Sequence, residues 1–439
     1  MWQRMHAGII NLGYAMRQPR ERTDRPLAAP CAAAHNVAMS DEARSAPRRL
    51  PSTTDASREA RDVRRARLRE DGFVIDALCG EAAELDPEKL AGSIEGFIGY
   101  ARIPLGVAGP VRIQGRHAAG DFLVPLATTE GTLVASLQHA FNVINRCGGA
   151  NAGCSRQLVG RAPCFEFADL AIAMQVAEWL PAQFAAMQEA AAATSRFCRL
   201  QGQKISVLGN TVYLMLEYTT GDAAGQNMVT LATQAVCRLL LPAMPAQPVS
   251  WLLESALSGD KRSSAQAFLG ARGRNASAEI VIPSRTVNRY WRADAAAMVR
   301  CWDQAVAGAA QTGAVGLQAN VANGLAALFI ACGQDVACVS EATTSITRFE
   351  IKGDGDLYAS VTLPNLIIGT VGGGTFLPTA RESLGLIGCQ GSGTAAKFAE
   401  ICAVVALAGE LSLIGAMASG AFADAHASGG RKGRGTGDG

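Results

Sequence analysis

The chain has 439 residues and little with which to hold a metal or bridge itself covalently. Its twelve cysteines stand singly, with no C-x-x-C pair, and His6, His35, His117, His139 and His426 lie too far apart for a local zinc motif. No metal is expected, and the thiols read as small buried groups in a reducing, cytoplasmic setting. The formal net charge of +2 gives no electrostatic case for nucleic acid. The longest apolar stretches are broken by charge before they could span a bilayer, so no membrane association is expected, and the N-terminal region has no apolar core of a secretory signal. A G-x-G-x-x-G turn after a strand is missing, as is a P-loop, which argues against an ordinary Rossmann dehydrogenase or a nucleotide triphosphatase.

What is present is the composition of an ordered globular protein, 49% hydrophobic and 18% charged. Residues 1–69 carry fourteen arginines, seven acids and no lysine, with little apolar periodicity, and predict a disordered arginine-rich leader. Met39 is an alternative start. Short helical patterns ending in glycine turns predict a helical linker over 70–94. The stretch 163–253 reads as helix, strand and helix, a small α+β unit. Beyond it, alanine-rich helices alternate with strands such as "SAEIVIP" and "LYASVTLPNLIIG". The apolar run "AAKFAEICAVVALAGELSLIGAMASG" predicts a helix buried in a large domain, and 429–439 a flexible tail.

Within this frame "VPLATTEGTLVASLQHA" begins like a buried strand, ends like a helix and seats Glu130 where the two meet. A carboxylate there is either an exposed turn residue or a group placed for proton chemistry, with a pKa raised by an apolar setting. Two glycine-rich loops, "GDAAGQNM" at 221–228 and "GTVGGGT" at 369–375, are each compatible with binding or with plain turn geometry. A helix after Gly221-Asp222 could present its backbone N–H groups to a pyrophosphate. Gly372, Gly373 and Gly374 leave the backbone uncovered for a dinucleotide. Lys261 in "SGDKRSSAQ", Asp335 in "ACGQDVAC" and His426 beyond the last apolar helix are each unremarked alone: a solvated lysine, a helix cap, a C-terminal cap.

Together these segments resemble the 3-hydroxy-3-methylglutaryl-CoA reductase family. The matching stretches are "EGFIGYARIPLGVAGP", "ATTEGTLVAS", "SRFCRLQ", "GDAAGQNM", "GDKRS", "ACGQD", "GTVGGGT" and "AGELSLIGAMASG", in family order over about residues 70–428. The "ATTEG", "SRFCRLQ" and "GTVGGGT" forms are similar to the branch shared by eukaryotes and archaea. The resemblance implies an α+β fold: a short helical domain, a large domain (95–162 and 254–428) around a long buried helix, and a small inserted NADPH-binding domain (163–253). It also implies homodimers or homotetramers with active sites between subunits.

The implied reaction is the four-electron reduction of HMG-CoA to mevalonate and CoA, by way of a hemithioacetal and mevaldehyde. The resemblance gives Lys261 the stabilisation of oxygen charge, Glu130 the proton for the alcohol, Asp335 a bridge between those two, and His426 protonation of the CoA thiolate. Ser195 and Arg196 are implied partners of the 2′-phosphate of NADPH, a role that suits a guanidinium fork. Asp222, Ala223, Gly225 and Asn227 would flank the dinucleotide opposite Gly372, Gly373 and Gly374. Arg161, Asp260, Arg262 and Asn323 match substrate-binding positions.

Three departures from the family pattern bear on the substrate. Arg262 stands for a second lysine, Glu254 for a serine, and the register puts Asp303 where a lysine would help hold the distal carboxylate. Two added negative charges beside an anionic substrate leave open a sister reductase acting on another acyl-CoA. A catalytically silent relative that binds CoA thioesters is a further alternative, opposed by the retention of all four catalytic residue types. Lys432 replaces the family's regulatory serine after the histidine.

Overall fold

The computed structural model describes residues 46–51, 55, 57–81, 85–90, 92–270 and 272–420. The expected sites at His426, Lys432 and the tail 429–439 lie outside the described residues, as does most of the expected leader.

The elements in chain order are α1 (Arg58–Glu70), β1 (Leu105–Gly115), β2 (Ala119–Ala127), α2 (Leu133–Arg146), β3 (Ala150–Arg161), β4 (Cys164–Glu166), α3 (Leu170–Trp179), α4 (Phe184–Ala192), β5 (Arg199–Leu208), β6 (Thr211–Thr219), α5 (Gln226–Ala243) and β7 (Ser250–Leu252). They continue as β8 (Gly273–Ile282), α6 (Ser284–Trp291), α7 (Ala295–Thr312), α8 (Val321–Ala331), α9 (Val339–Ala342), β9 (Ile346–Lys352), β10 (Asp356–Leu366), α10 (Pro378–Leu386) and α11 (Ala395–Ala418). This is the mixed α+β architecture expected.

The strands form one sheet in the order β7-β4-β6-β3-β8-β10-β9, with β1 and β2 joined through β3 and β5 through β6. The hinge of this arrangement is β3. Its first part pairs with β8, while Val159, Gly160 and Arg161 pair with Tyr218, Glu217 and Leu216 of β6. Strands β4 to β7 thus form their own wing with α3, α4 and α5, attached where β3 ends. That wing spans the stretch read from sequence as a small α+β unit, and Arg161 sits at its root.

Helix α11 is buried on nearly every side and packs against β8, α2, α8 and β3. It is long and apolar enough to cross a membrane, yet in the fold it is the core. Its two internal acids are committed to backbone. Glu400 accepts from the N–H groups of His117 and Ala118 at 2.8 and 2.6 Å, closing the β1–β2 turn. Glu410 accepts from Ala319 and Asn320, capping the start of α8. Backbone donors engage both oxygens of Glu410, whereas both donors to Glu400 share its Oε2 and leave Oε1 buried without a partner.

The boundary expected at residue 69 is corrected. Residues 58–70 form α1, capped by the Ser57 hydroxyl accepting from Ala60 N. Leu68 packs with Leu50, Phe73, Ile75, Leu123 and Leu386 in a second, smaller core. The arginines of α1 are exposed or half-buried, with Arg69 paired to Glu81, and Arg48 pairs with Asp71 just beyond the helix. One buried leucine stripe supplies too little periodicity to stand out in so charged a segment. The linker expected to be helical over 70–94 contains only a 3-10 turn at Pro87–Leu90 among its described residues.

Candidate active site

The turn between β2 and α2 carries Glu130, as the strand-to-helix pattern predicts. Its side chain is exposed in the single chain, so the apolar setting expected of it is absent there. Glu130 Oε1 accepts from Asn323 Nδ2 at 3.1 Å, and Asn323 lies in the first turn of α8.

Lys261 and Asp335 meet at the other end of α8. Lys261 Nζ is 2.8 Å from Asp335 Oδ2, and both side chains are partly exposed, at 46% and 41%. The hydrogen bond that Lys261 donates to Asp335 raises the lysine's pKa above its ordinary 10.5, against an opposing effect of burial. The ammonium therefore stays charged at neutral pH. The expected bridge from Asp335 to both Lys261 and Glu130 is only half present within one chain: Asp335 takes the lysine, and Asn323 takes the glutamate. Eight helical residues, ~12 Å at 1.5 Å per residue, and the turn after α8 lie between Asn323 and Asp335.

Behind Lys261 lies a buried ionic network that sequence reading missed. Arg272 is fully buried and bonds Asp260 Oδ1 at 2.8 Å, Gln226 Oε1 at 2.5 Å, Gly160 O at 2.8 Å and Glu341 Oε2 at 2.9 Å. Asp260 Oδ2 accepts from Arg161 Nη1 at 2.9 Å. Burial pushes the Asp260 carboxyl upward, but Arg272 and Arg161 outweigh it and hold the pKa below the usual aspartate value. For Glu341, burial wins and the pKa is raised despite Arg272. Neither Arg272 in "ARGRN" nor Glu341 in "VSEATT" follows a periodic pattern, and only the fold brings them together.

Glu254, one of the departures, joins this network. Its Oε2 faces Arg161 Nη1 at 3.3 Å and the Ala162 N–H at 3.2 Å. Arg161 is thereby occupied by two carboxylates rather than presented bare. Asp303 is different: it lies exposed on α7, with no hydrogen bond or ion pair to Arg161, Glu254 or Lys261 among the described residues. Arg262 is exposed beside Lys261.

In the wing, Ser195 and Arg196 occupy the loop between α4 and β5. Arg196 is exposed, its guanidinium stands 4.7 Å from the Phe197 ring, and no carboxylate of the described residues pairs with it. Ser195 Oγ accepts from Phe197 N at 3.2 Å. An open guanidinium beside a hydroxyl fits a phosphate dianion.

The two glycine-rich loops meet, with Ala223 bridging Val371. The glycines of the second loop divide by role. Gly372 and Gly373 have φ of +71° and +55°, with open space where a side chain would stand. Gly374 instead abuts the Gly333 carbonyl, 2.6 Å from where its Cβ would be, so its bareness serves backbone packing. In the first loop, α5 begins at Gln226 behind Gly225, and Asn227 is exposed in its first turn. Asp222 is committed elsewhere: its carboxylate accepts from Gly393 N at 2.7 Å and Ala395 N at 3.2 Å, capping α11. A pyrophosphate seat on the residues after Asp222 would use α5, not that carboxylate.

Among the described residues no group of three or more histidine, cysteine, aspartate or glutamate side chains is arranged to hold a metal ion.

Comparison with known proteins places the chain in a family. The profile of the family described as hydroxymethylglutaryl-coenzyme A reductase matches residues 60–431. The chain is 41% identical over 352 residues to the 3-hydroxy-3-methylglutaryl-coenzyme A reductase of Pyrococcus horikoshii, covering 78% of this chain and 84% of that one. It is 42% identical over 351 residues to the protein of the same name from Haloferax volcanii, covering 78% and 86%. The plant relative from Camptotheca acuminata is 34% identical over 367 residues, covering 81% and 59%. In three dimensions the chain is similar to the class II 3-hydroxy-3-methylglutaryl-CoA reductase of Streptococcus pneumoniae bound to NADPH, with a TM-score of 0.65, 19% identity, and coverage of 82% and 86%.

Proposed function

Because this chain belongs to the hydroxymethylglutaryl-coenzyme A reductase family, we propose that it reduces HMG-CoA to mevalonate and CoA with two equivalents of NADPH. The observation that carries this reading is the Lys261–Asp335 ion pair: a lysine fixed by its carboxylate, charged at neutral pH and open on its outer side. NADPH supplies a hydride at each step. Each transfer loads negative charge on a substrate oxygen, and the Lys261 ammonium is placed to neutralise it. Glu130 donates the proton that completes the alcohol. His426 protonates the departing thiolate, an assignment that rests on sequence alone, since it lies outside the described residues.

Arg196 and Ser195 hold the 2′-phosphate, with Asn227 and the bare backbone of Gly372 and Gly373 along the dinucleotide. A cavity of about 480 Å³ suits the anionic body of CoA: it is rimmed by Arg61, Arg64 and Arg65 and reaches Val134, four residues beyond Glu130. The enzyme works in the cytoplasm.

The separation of Glu130 from Lys261 along α8 favours a homo-oligomer in which Glu130 of one chain meets Lys261 and Asp335 of another. The extended segment around Ile94, Ile98, Tyr100 and Ile103 exposes apolar side chains, Ile98 completely, as a surface covered by a second copy would. Arg161, Asp260, Arg262 and Asn323 line the acyl end. The Arg161–Glu254 contact favours a second reading, in which the acyl group carries no distal carboxylate.

Purified protein given HMG-CoA and NADPH should consume two NADPH per CoA released. One NADPH per CoA, or CoA release without oxidation, would sink the mevalonate reading. Turnover of an uncharged acyl-CoA in preference to HMG-CoA would establish the second.

A further inference from the structure

Lys261 is gripped at both ends by acids six residues apart. Asp335 takes Nζ at 2.8 Å, and Glu341 Oε1 accepts from the lysine's own backbone N–H at 3.0 Å. The second grip fixes an unusual backbone, because Lys261 has φ of +55°, the left-handed region that a residue with a Cβ enters at a cost of ~1–2 kcal/mol. The loop is tied once more where Ser263 Oγ donates to Ser340 O at 2.7 Å.

Glu341 in turn is held by Arg272, and both side chains are 0% exposed. A buried ion pair is a poor source of net stability, since desolvation of two charges offsets their attraction, so its presence calls for another explanation. The remaining guanidinium bonds of Arg272 supply one. They go to Gly160, the neighbour of Arg161, to Gln226 at the head of α5, and to Asp260, the neighbour of Lys261. Each segment the guanidinium reaches thus carries or adjoins a residue of the site.

We infer that Glu341, clamped by Arg272, is a positioning residue that sets the backbone, and through it the ammonium, of Lys261. The inference rests on the reading of Lys261 as the group that neutralises oxygen charge. In Glu341→Gln the amide keeps one acceptor oxygen for two donors. The charged Arg272 takes it, and the Lys261 N–H is left against an NH2 group.

The test is a double-mutant cycle in the full-length protein, read as single-turnover reduction of mevaldehyde by NADPH. Glu341→Gln should lower the rate at least ~10-fold while the Kd for NADPH stays within about twofold of wild type. In the Lys261→Ala background the same change should cost less than about twofold, because the residue it acts through is gone. Equal losses in both backgrounds, or no loss in the wild-type background, would overturn the inference. If Lys261→Ala alone keeps full activity, the reading of that lysine fails instead, and the two failures are distinct. Should Glu341→Gln not fold, Arg272→Met with Glu341→Leu removes both buried charges together. A folded protein of that kind with wild-type rate would equally overturn the inference, whereas one that folds and loses the rate only when Lys261 is present would support it.

Discussion

Lys261 and Asp335 form a 2.8 Å ion pair beyond the C-terminal end of α8. The aspartate's hydrogen bond is the main cause that raises the lysine's pKa, and burial alone would lower it. The raised value means that the pair's stabilisation is complete below the unfolded lysine's pKa and is lost as pH rises through the folded one. In wild type the alkaline fall in aldehyde reduction due to this lysine should therefore lie above pH 10.5. In Asp335→Asn it should move to lower pH. Rate profiles of the two proteins check this, and an unmoved alkaline limb would show that Asp335 does not tune the lysine.

Glu130 and Lys261 belong to different ends of α8, so mixing should separate a shared site from a private one. Glu130→Gln and Lys261→Ala are each expected to be nearly inactive. Co-refolded in equal amounts, they should recover about a quarter of wild-type activity, since half of randomly paired dimers are mixed and one of the two sites in each is whole. No recovery would place both residues in one chain's site.

Arg196→Ala should raise KM for NADPH far more than for NADH, by the ~1.5–3 kcal/mol typical of a charge-assisted bond to a phosphate. The measurement is steady-state KM for both cofactors. Equal losses would remove Arg196 from the 2′-phosphate.

Glu254→Ser frees one oxygen partner of Arg161, whose Nη1 it meets at 3.3 Å. If the acyl group brings its own distal carboxylate, that change should lower KM for HMG-CoA, by ~10-fold or more for one regained charged hydrogen bond. A KM that rises or stays fixed would mean Glu254 shapes the loop rather than competes with substrate.

Leu68 anchors α1 to the smaller core. Leu68→Ala should cost about 2–3 kcal/mol in urea unfolding, as buried leucine truncations do. A loss below about 0.5 kcal/mol, the usual range for surface changes, would show α1 to be loosely held.

The main architecture was legible because its signals are local. An apolar run announced α11, stretches rich in β-branched residues announced β8 and β10, and a helix–strand–helix order announced the wing over 163–253. The motifs around Glu130, Lys261 and Asp335 were readable only together, through the resemblance of the whole ordered series to one family, since each residue alone reads as a turn residue, a solvated lysine or a cap. What the chain order could not express was pairing at long range. The Arg272–Glu341 clamp joins positions 69 residues apart through a buried bond, and the capping of α11 by Asp222 spans 173 residues. Neither leaves a periodic trace. The arginine-rich stretch misled for the complementary reason: composition reports the solvated face of α1, while its order depends on a single leucine finding Phe73, Ile75 and Leu386. Sequence by itself determined which elements form and which chemical groups are available. Tertiary structure decided which carboxylate each cation meets, because a charge in a low-dielectric interior is governed by the few partners within a few ångströms, and only the folded chain selects them.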